Sequence, residues 1–172
     1  MPNLVVEWIR EYREKIPFPL YCTRLDGGKF EFVNQALADF LHRGVEEFSH
    51  EHFTAEELYY VGKHRRDFVS KVSARSSQVV ISCARFLLGK EGPANSQLTR
   101  WAIDIARAFE DDEQDDALVV GILTDVPDDW EEPPLARNRI KAFQAILNMI
   151  DVGAHTTIRD LLPHAPFDML VL

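Results

Sequence analysis

The chain has 172 residues, a formal net charge of −9, 46% hydrophobic residues and 27% charged residues. That length suits one domain, or one domain with helical extensions, and the hydrophobic share supports a packed core. The acidic balance argues against direct nucleic-acid binding, which needs clustered Lys and Arg to displace counterions. Two cysteines, Cys22 and Cys83, neither in a Cys-x-x-Cys pair, make no disulfide scaffold and fit a reducing cytoplasm. No run reaches the roughly 20 apolar residues that span a bilayer, and the charged start (Glu7, Arg10, Glu11, Arg13, Glu14, Lys15) has no uncharged signal-peptide core.

Residues 3–16 read as a helix. Asn3 is its cap, and Val5, Trp8, Ile9, Tyr12 and Ile16 form an apolar stripe that Pro17 and Pro19 end. Leu20 to Leu25 and Lys29 to Val33 read as two strands joined by Asp26-Gly27-Gly28, since Asp-Gly supplies the positive φ of a hairpin turn. Phe30 and Phe32 give the second strand a period of two. Asn34 then caps a short helix carrying Leu37, Phe40 and Leu41. After an irregular stretch from Arg43 to Phe53, a longer helix is expected from about Ala55 to about Val72, with Thr54 and Glu57 as its capping box. Leu58, Val61, Phe68, Val69 and Val72 should face inward and Lys63, Arg65, Arg66 and Lys71 outward.

Three strands follow: Gln78 to Leu88, Gln97 to Phe109 and Ala117 to Val126, separated by Gly89-Lys90-Glu91-Gly92-Pro93 and by the acidic turn Glu110 to Asp116. That turn and Asp128 to Glu132 read as solvated loops, without the spacing of a calcium loop. In the second of these strands Trp101, Ile103, Ile105 and Phe109 mark the buried face, and Arg107 shares their parity. Beyond Pro133-Pro134, Leu135 to Val152 reads as an exit helix with Ile140, Phe143, Leu147 and Ile150 at packing spacing.

The order of these pieces resembles a PAS domain, a sensor module of signalling proteins. The resemblance covers roughly residues 17–128 and rests on the Asp26-Gly27 turn, Asn34 at the helix start, the long helix before the last three strands, and Val120-Gly121-Ile122-Leu123-Thr124-Asp125-Val126. Family members often end in Asp-Ile-Thr, and Asp125-Val126-Pro127 departs at the third position. The resemblance implies an α+β fold: a five-stranded antiparallel sheet with helices on one face, flanked by an N-terminal helical extension (1–16) and a C-terminal linker and helix (129–172). Asp26, Gly27, Asn34 and Asp125 carry over as structural positions only. Ala165 to Val171 repeats the pattern of Ile16 to Cys22, as at the start of a second module; a chance match of Pro-Phe before an apolar run explains it equally well.

The function implied is sensing and relay, not catalysis, in the cytoplasm. A small ligand would lie between the sheet and the helix at 34–42, near Phe32, Leu37, Phe40, Trp101, Ile103 and Arg107. Arg107 in that interior could fork onto a carboxylate, and the competing reading returns it to solvent. The terminal helices are expected to form a homodimer and to lead to an output domain or partner protein, for which the competing arrangement is helices folded back on their own sheet. Two other readings stand beside this one: a haem sensor hung on His64, against which Lys63, Arg65 and Arg66 weigh, and a small lyase or isomerase with His64 or Asp104 as base. The module could also belong to a larger signalling enzyme such as a sensor kinase or cyclic-nucleotide enzyme. The six histidines form no zinc pattern, and no metal site follows from them. The segment Asn-Cys-Arg-Phe-Leu of flavin-binding light sensors has no counterpart, and Cys83 reads as a small core residue on a strand. No cofactor is therefore expected, with haem the alternative. The purified protein should be colourless; an absorption band in the visible region at the position of haem or flavin would overturn that expectation.

Overall fold

A computed structural model describes residues 4–75, 78–91, 97–110 and 116–126, together with 141, 143–145 and 147. The acidic turn at 111–115, the linker at 127–140 and the segment 148–172, which includes Ile150 and the match of residues 165–171 to 16–22, lie outside the described residues, as do the side chains of Val5 and Trp8.

Five strands form one antiparallel sheet: β1 (Leu20–Arg24), β2 (Phe30–Val33), β3 (Val80–Glu91), β4 (Gln97–Glu110) and β5 (Ala117–Asp125), in the spatial order β2-β1-β5-β4-β3. The helices are α1 (Leu4–Tyr12), α2 (Gln35–Phe40) and α3 (Gly62–Ala74), with 3-10 turns at Arg13–Lys15, Val45–Ser49 and Ala55–Leu58. The β1–β2 turn uses Gly27 and Gly28 at φ +68° and +64°, the left-handed region that Gly enters without steric cost. The Gly28 carbonyl accepts from the Ala55 N–H at 2.9 Å, which ties the hairpin tip to the 3-10 turn before α3.

The inner face of the sheet is covered, and the outer face is covered over β1, β5 and the middle of β4 but open at Ile81, Cys83 and Trp101. The inner face sends Tyr21, Phe86, Ala102, Ala106, Val119 and Leu123 against α2, the 3-10 turns and α3. The outer face sends Leu20, Cys22, Ile103, Ile105, Val120 and Ile122 against Ile9 of α1 and against Phe143 and Leu147, which lie on a helical stretch after β5. The terminal helices therefore cover their own sheet. Ile9, Phe143 and Leu147, expected to seek a second copy, are 0%, 3% and 0% exposed within one chain.

Two local patterns depart from the sequence reading. In β2 the period of two breaks: Cys22 pairs with Phe32 and Thr23 with Phe30, so Glu31 is an extra, bulged residue. Phe30 then points inward onto Phe48 and Phe53, while Phe32 points outward. Glu31 is used at the surface, accepting from Arg24 Nε at 2.7 Å. The single helix expected over 55–72 is broken at Tyr59–Val61, where the backbone is extended. There the chain bridges to the edge of β3: Tyr59 pairs with Phe86, and the Tyr60 N–H donates to the Arg85 carbonyl at 2.8 Å. Pairing with the sheet edge outweighs the local helical preference, and the poor helix former Gly62 begins α3. Thr54 still closes its turn, donating its N–H to Glu57 Oε2 at 2.8 Å.

Asn34 joins three segments. Its Oδ1 accepts from Leu37 N–H, as a helix cap should, and also from Leu20 N–H, both at 3.0 Å. Its Nδ2 donates to the carbonyls of Phe18 (2.9 Å), Ile16 (3.2 Å) and Arg13 (3.2 Å). The side chain is 1% exposed, so water cannot replace these partners. Asn34→Ala is expected to cost about 2–3 kcal/mol, a lost cap plus buried groups left unpaired. Urea unfolding measures it, and a loss below about 0.5 kcal/mol, as at an ordinary surface site, would show that the junction does not depend on this side chain.

Candidate functional site

The inner face of β4 is lined with small residues, Ala102, Ala106 and Ala108, and one charge, Asp104. The small residues let α3 and the 3-10 turn approach, and Asp104 fills the space with a carboxylate that is 1% exposed. Two hydroxyls hold it. Tyr21 of β1 donates to Oδ1 at 2.8 Å and lies 3.0 Å from Oδ2, and Tyr59 donates to Oδ2 at 2.5 Å. Gly121 of β5 makes the first contact fit, because a Cβ there would collide with the Tyr21 ring.

Arg65 enters from α3. Its Nη1 donates to the Tyr21 hydroxyl at 3.3 Å and lies 4.0 Å from Asp104 Oδ2, and its Nη2 donates to Thr23 Oγ1 at 2.9 Å. The guanidinium lies 5.6, 6.0 and 5.9 Å from the ring centroids of Tyr21, Tyr59 and Phe68, within cation–π range. The residue is 3% exposed. The result is a buried tetrad, Arg65–Tyr21–Asp104–Tyr59, joining β1, β4, α3 and the segment before α3.

Burial governs its electrostatics. It raises the Asp104 carboxyl above the usual carboxylate range, and the attraction of Arg65 and the two tyrosine hydroxyls only partly offsets this. Burial, reinforced by the charge of Asp104, pushes both tyrosines well above the ordinary phenol value. Burial opposes the charge on Arg65, but Tyr21, Tyr59 and Asp104 outweigh it and hold the guanidinium protonated.

The positions expected to surround a ligand divide between the two faces. Leu37 and Phe40 pack on the inner side. Phe32 and Ile103 point outward into the layer under the terminal helices, as does Arg107, which is 7% exposed with its guanidinium 5.2 Å from the Phe109 ring centroid. Trp101 is 55% exposed on that outer side. The reason is that β4 is covered on both faces from Ala102 to Phe109, so its larger apolar set belongs to the outer layer and the alanine set to the inner one. Asp26 and Gly27 form the expected turn, Asn34 the expected cap, and Asp125 ends β5, pairing with Arg100 at 3.2 Å. His64 is exposed on α3, turned away from the interior in which a haem would sit. Cys83 is exposed on β3, a correction to its reading as a core residue; Cys22 is buried. No cluster of three metal-ligating side chains occurs among the described residues.

Arg65 was expected outward. Its position could have been found from spacing: 65, 68, 69 and 72 lie three, one and three apart, on the stripe of Phe68 and Val72. Tyr59 carried no local signal, since the break in the helix that aims it inward is made by β3.

Asp104→Ala removes the acceptor of two buried hydroxyls and the counter-charge of Arg65, and is expected to cost about 3–5 kcal/mol. Asp104→Asn keeps an acceptor and mimics the protonated carboxyl that burial favours, so it should cost less. The sign of the pH effect follows from the raised carboxyl. Between the unfolded value near 3.9 and the higher folded value, the native state binds more protons, so this group's contribution to stability falls as pH rises through that window. Urea unfolding of the three proteins across the acid range should show this falling limb in the wild type and not in Asp104→Asn; a limb retained in the Asn variant would place the titration elsewhere.

No protein-family model and no curated protein sequence matches the chain. Solved structures do. A Rhodobacter sphaeroides LOV protein superposes with a TM-score of 0.62 at 12% identity, over 96% of this chain and 94% of that one. The PAS domain of BvgS from Bordetella pertussis gives 0.51 at 16% identity, over 83% and 99%. A PAS domain from a two-component sensor histidine kinase gives 0.53 at 11% identity, over 71% and 96%. At these identities the likeness is one of fold. Strand order, helix placement and these superpositions together make the chain a PAS-fold domain.

Proposed function

We propose that this domain is a non-catalytic sensory and relay module of signal transduction, whose output leaves through its terminal helices to a partner protein or downstream domain. The observation that supports it is the two-sided sheet. The tetrad on the inner face and the helices on the outer face share the same strands. Asp104 alternates along β4 with Ile103 and Ile105, and Tyr21 alternates along β1 with Leu20 and Cys22, all of which pack in the layer with Ile9, Phe143 and Leu147. A shift of Asp104 or Tyr21 on one side therefore moves the bed of the helices on the other. The interior is occupied by Tyr21, Tyr59, Asp104, Arg65, Phe68 and Phe86, which favours relay over turnover. As a general base Asp104 is poorly placed, since both its oxygens are engaged by tyrosine hydroxyls.

Pairing of two copies through the terminal helices would have to use their remaining surface, since Ile9, Phe143 and Leu147 are spent on the sheet. Light scattering on the full chain, and on a chain lacking residues 1–16, reads that directly.

The relay is tested by Tyr59→Phe, which removes one hydroxyl from Asp104 and keeps the ring against Phe86. Backbone hydrogen exchange in α1 and around 141–147 should quicken by about fivefold, the scale of a coupling near 1 kcal/mol. Exchange unchanged in both segments would sink the relay reading.

A further inference from the structure

A cleft of about 570 Å³ opens beside the tetrad, between the β1–β2 turn and α3. Leu25, Asp26, Gly27 and Gly28 form one wall, Arg66, Val69, Ser70 and Ser73 the other, Glu56 and Asp116 close the ends, and Arg65 forms the floor. Its volume lies within the range of small-molecule sites.

Most of the charge on the lining is already used. Arg66 pairs with Glu56. Asp116 Oδ1 accepts the N–H groups of Asp26 at 3.2 Å and of Ala117 at 2.8 Å. What is left is complementary. The Nε of Arg65, on a side chain only 4% exposed, has no hydrogen-bond partner among the described residues. A buried guanidinium N–H without an acceptor is costly, and such a group beside a cleft marks a place for an incoming oxygen. The hydroxyls of Ser70 and Ser73 stand on the same wall and can donate to the same acceptor. Across from them the carboxylate of Asp26, exposed on the turn, has no cationic partner among the described residues. The floor thus offers an N–H donor without an acceptor, and the mouth a carboxylate without a cation.

We propose that this cleft binds a small zwitterion, with its carboxylate directed at Arg65, Ser70 and Ser73 and its ammonium at Asp26. This deepens the sensory reading and rests on it, because Arg65 also holds Thr23 and Tyr21, so an acceptor drawn to Arg65 would reach the tetrad. A plain carboxylate would meet Asp26 and Asp116 at the mouth, and a plain amine would leave Arg65 unanswered.

Isothermal titration of the full chain with glycine, β-alanine, 4-aminobutyrate and 5-aminovalerate, against butyrate and butylamine at fixed ionic strength, tests it. Saturable binding of at least one amino acid is expected, about tenfold tighter than either single-charge control, the worth of one charge-assisted hydrogen bond. Asp26→Asn, which keeps the side-chain shape in the turn and removes its charge, should remove that advantage over butyrate, with urea unfolding of the variant checking that the fold is kept. Saturable binding of none of the amino acids would overturn the proposal. Butylamine or butyrate binding as tightly as the best amino acid, or affinity unchanged in Asp26→Asn, would do the same. The helix-exchange response to Tyr59→Phe needs no ligand, so a failed titration beside a positive exchange result rejects the site and keeps the relay.

Discussion

A carboxylate placed where water cannot reach it sets the terms for the interior of this domain. Asp104 sits in the middle of β4, and removing it from solvent is expensive unless its oxygens are occupied. Tyr21 and Tyr59 occupy them, and Arg65 supplies the counter-charge. Each partner carries its own structural demand. Tyr21 needs the missing side chain of Gly121, Tyr59 needs the helix before α3 to break, and Arg65 needs α3 turned so that a basic residue faces in. The alanines that flank Asp104 on β4 leave room for all of them.

The second constraint is that the middle of the sheet is covered twice. A β-sheet with one wet face alternates apolar and polar residues, and the middle of β4 with β5 and β1 alternates two kinds of buried residue instead. The outer layer takes the branched side chains, such as Ile103, Ile105, Val120 and Ile122, under α1 and the helical residues after β5. The inner layer takes aromatic and small residues around the tetrad. Strands one residue thick separate a polar interior from the layer that holds Ile9, Phe143 and Leu147. That proximity is the route the proposed relay would use from one side to the other.

Asn34 plays the corresponding part at the edge of the fold. One buried amide ends β2, starts α2, and holds the segment that leads from α1 into β1. The entry segment is therefore fixed to the same point at which the inner-face helices begin.

Elements whose signals are local can be read from the chain alone. The Asp26-Gly27-Gly28 turn, the Asn34 cap, the Thr54–Glu57 turn and the limits of β4 and β5 were legible, because glycine conformation, capping and turn chemistry act within a few residues. Their order also made the PAS fold legible. Which face of each strand is the inner one is set by long-range packing. Periodicity says that Trp101, Ile103 and Arg107 share a side of β4, but with both sides covered it cannot say which cover lies where. The bulge at Glu31, which turns Phe32 outward, comes from the register of the β1–β2 hairpin, and the break at Tyr59, which aims its hydroxyl at Asp104, comes from pairing with the edge of β3, distant in sequence. The tetrad joins residues 21, 59, 65 and 104, so no window of sequence contains it. Long-range burial, which sets the cost of leaving Asp104 unpaired, is what selected those partners.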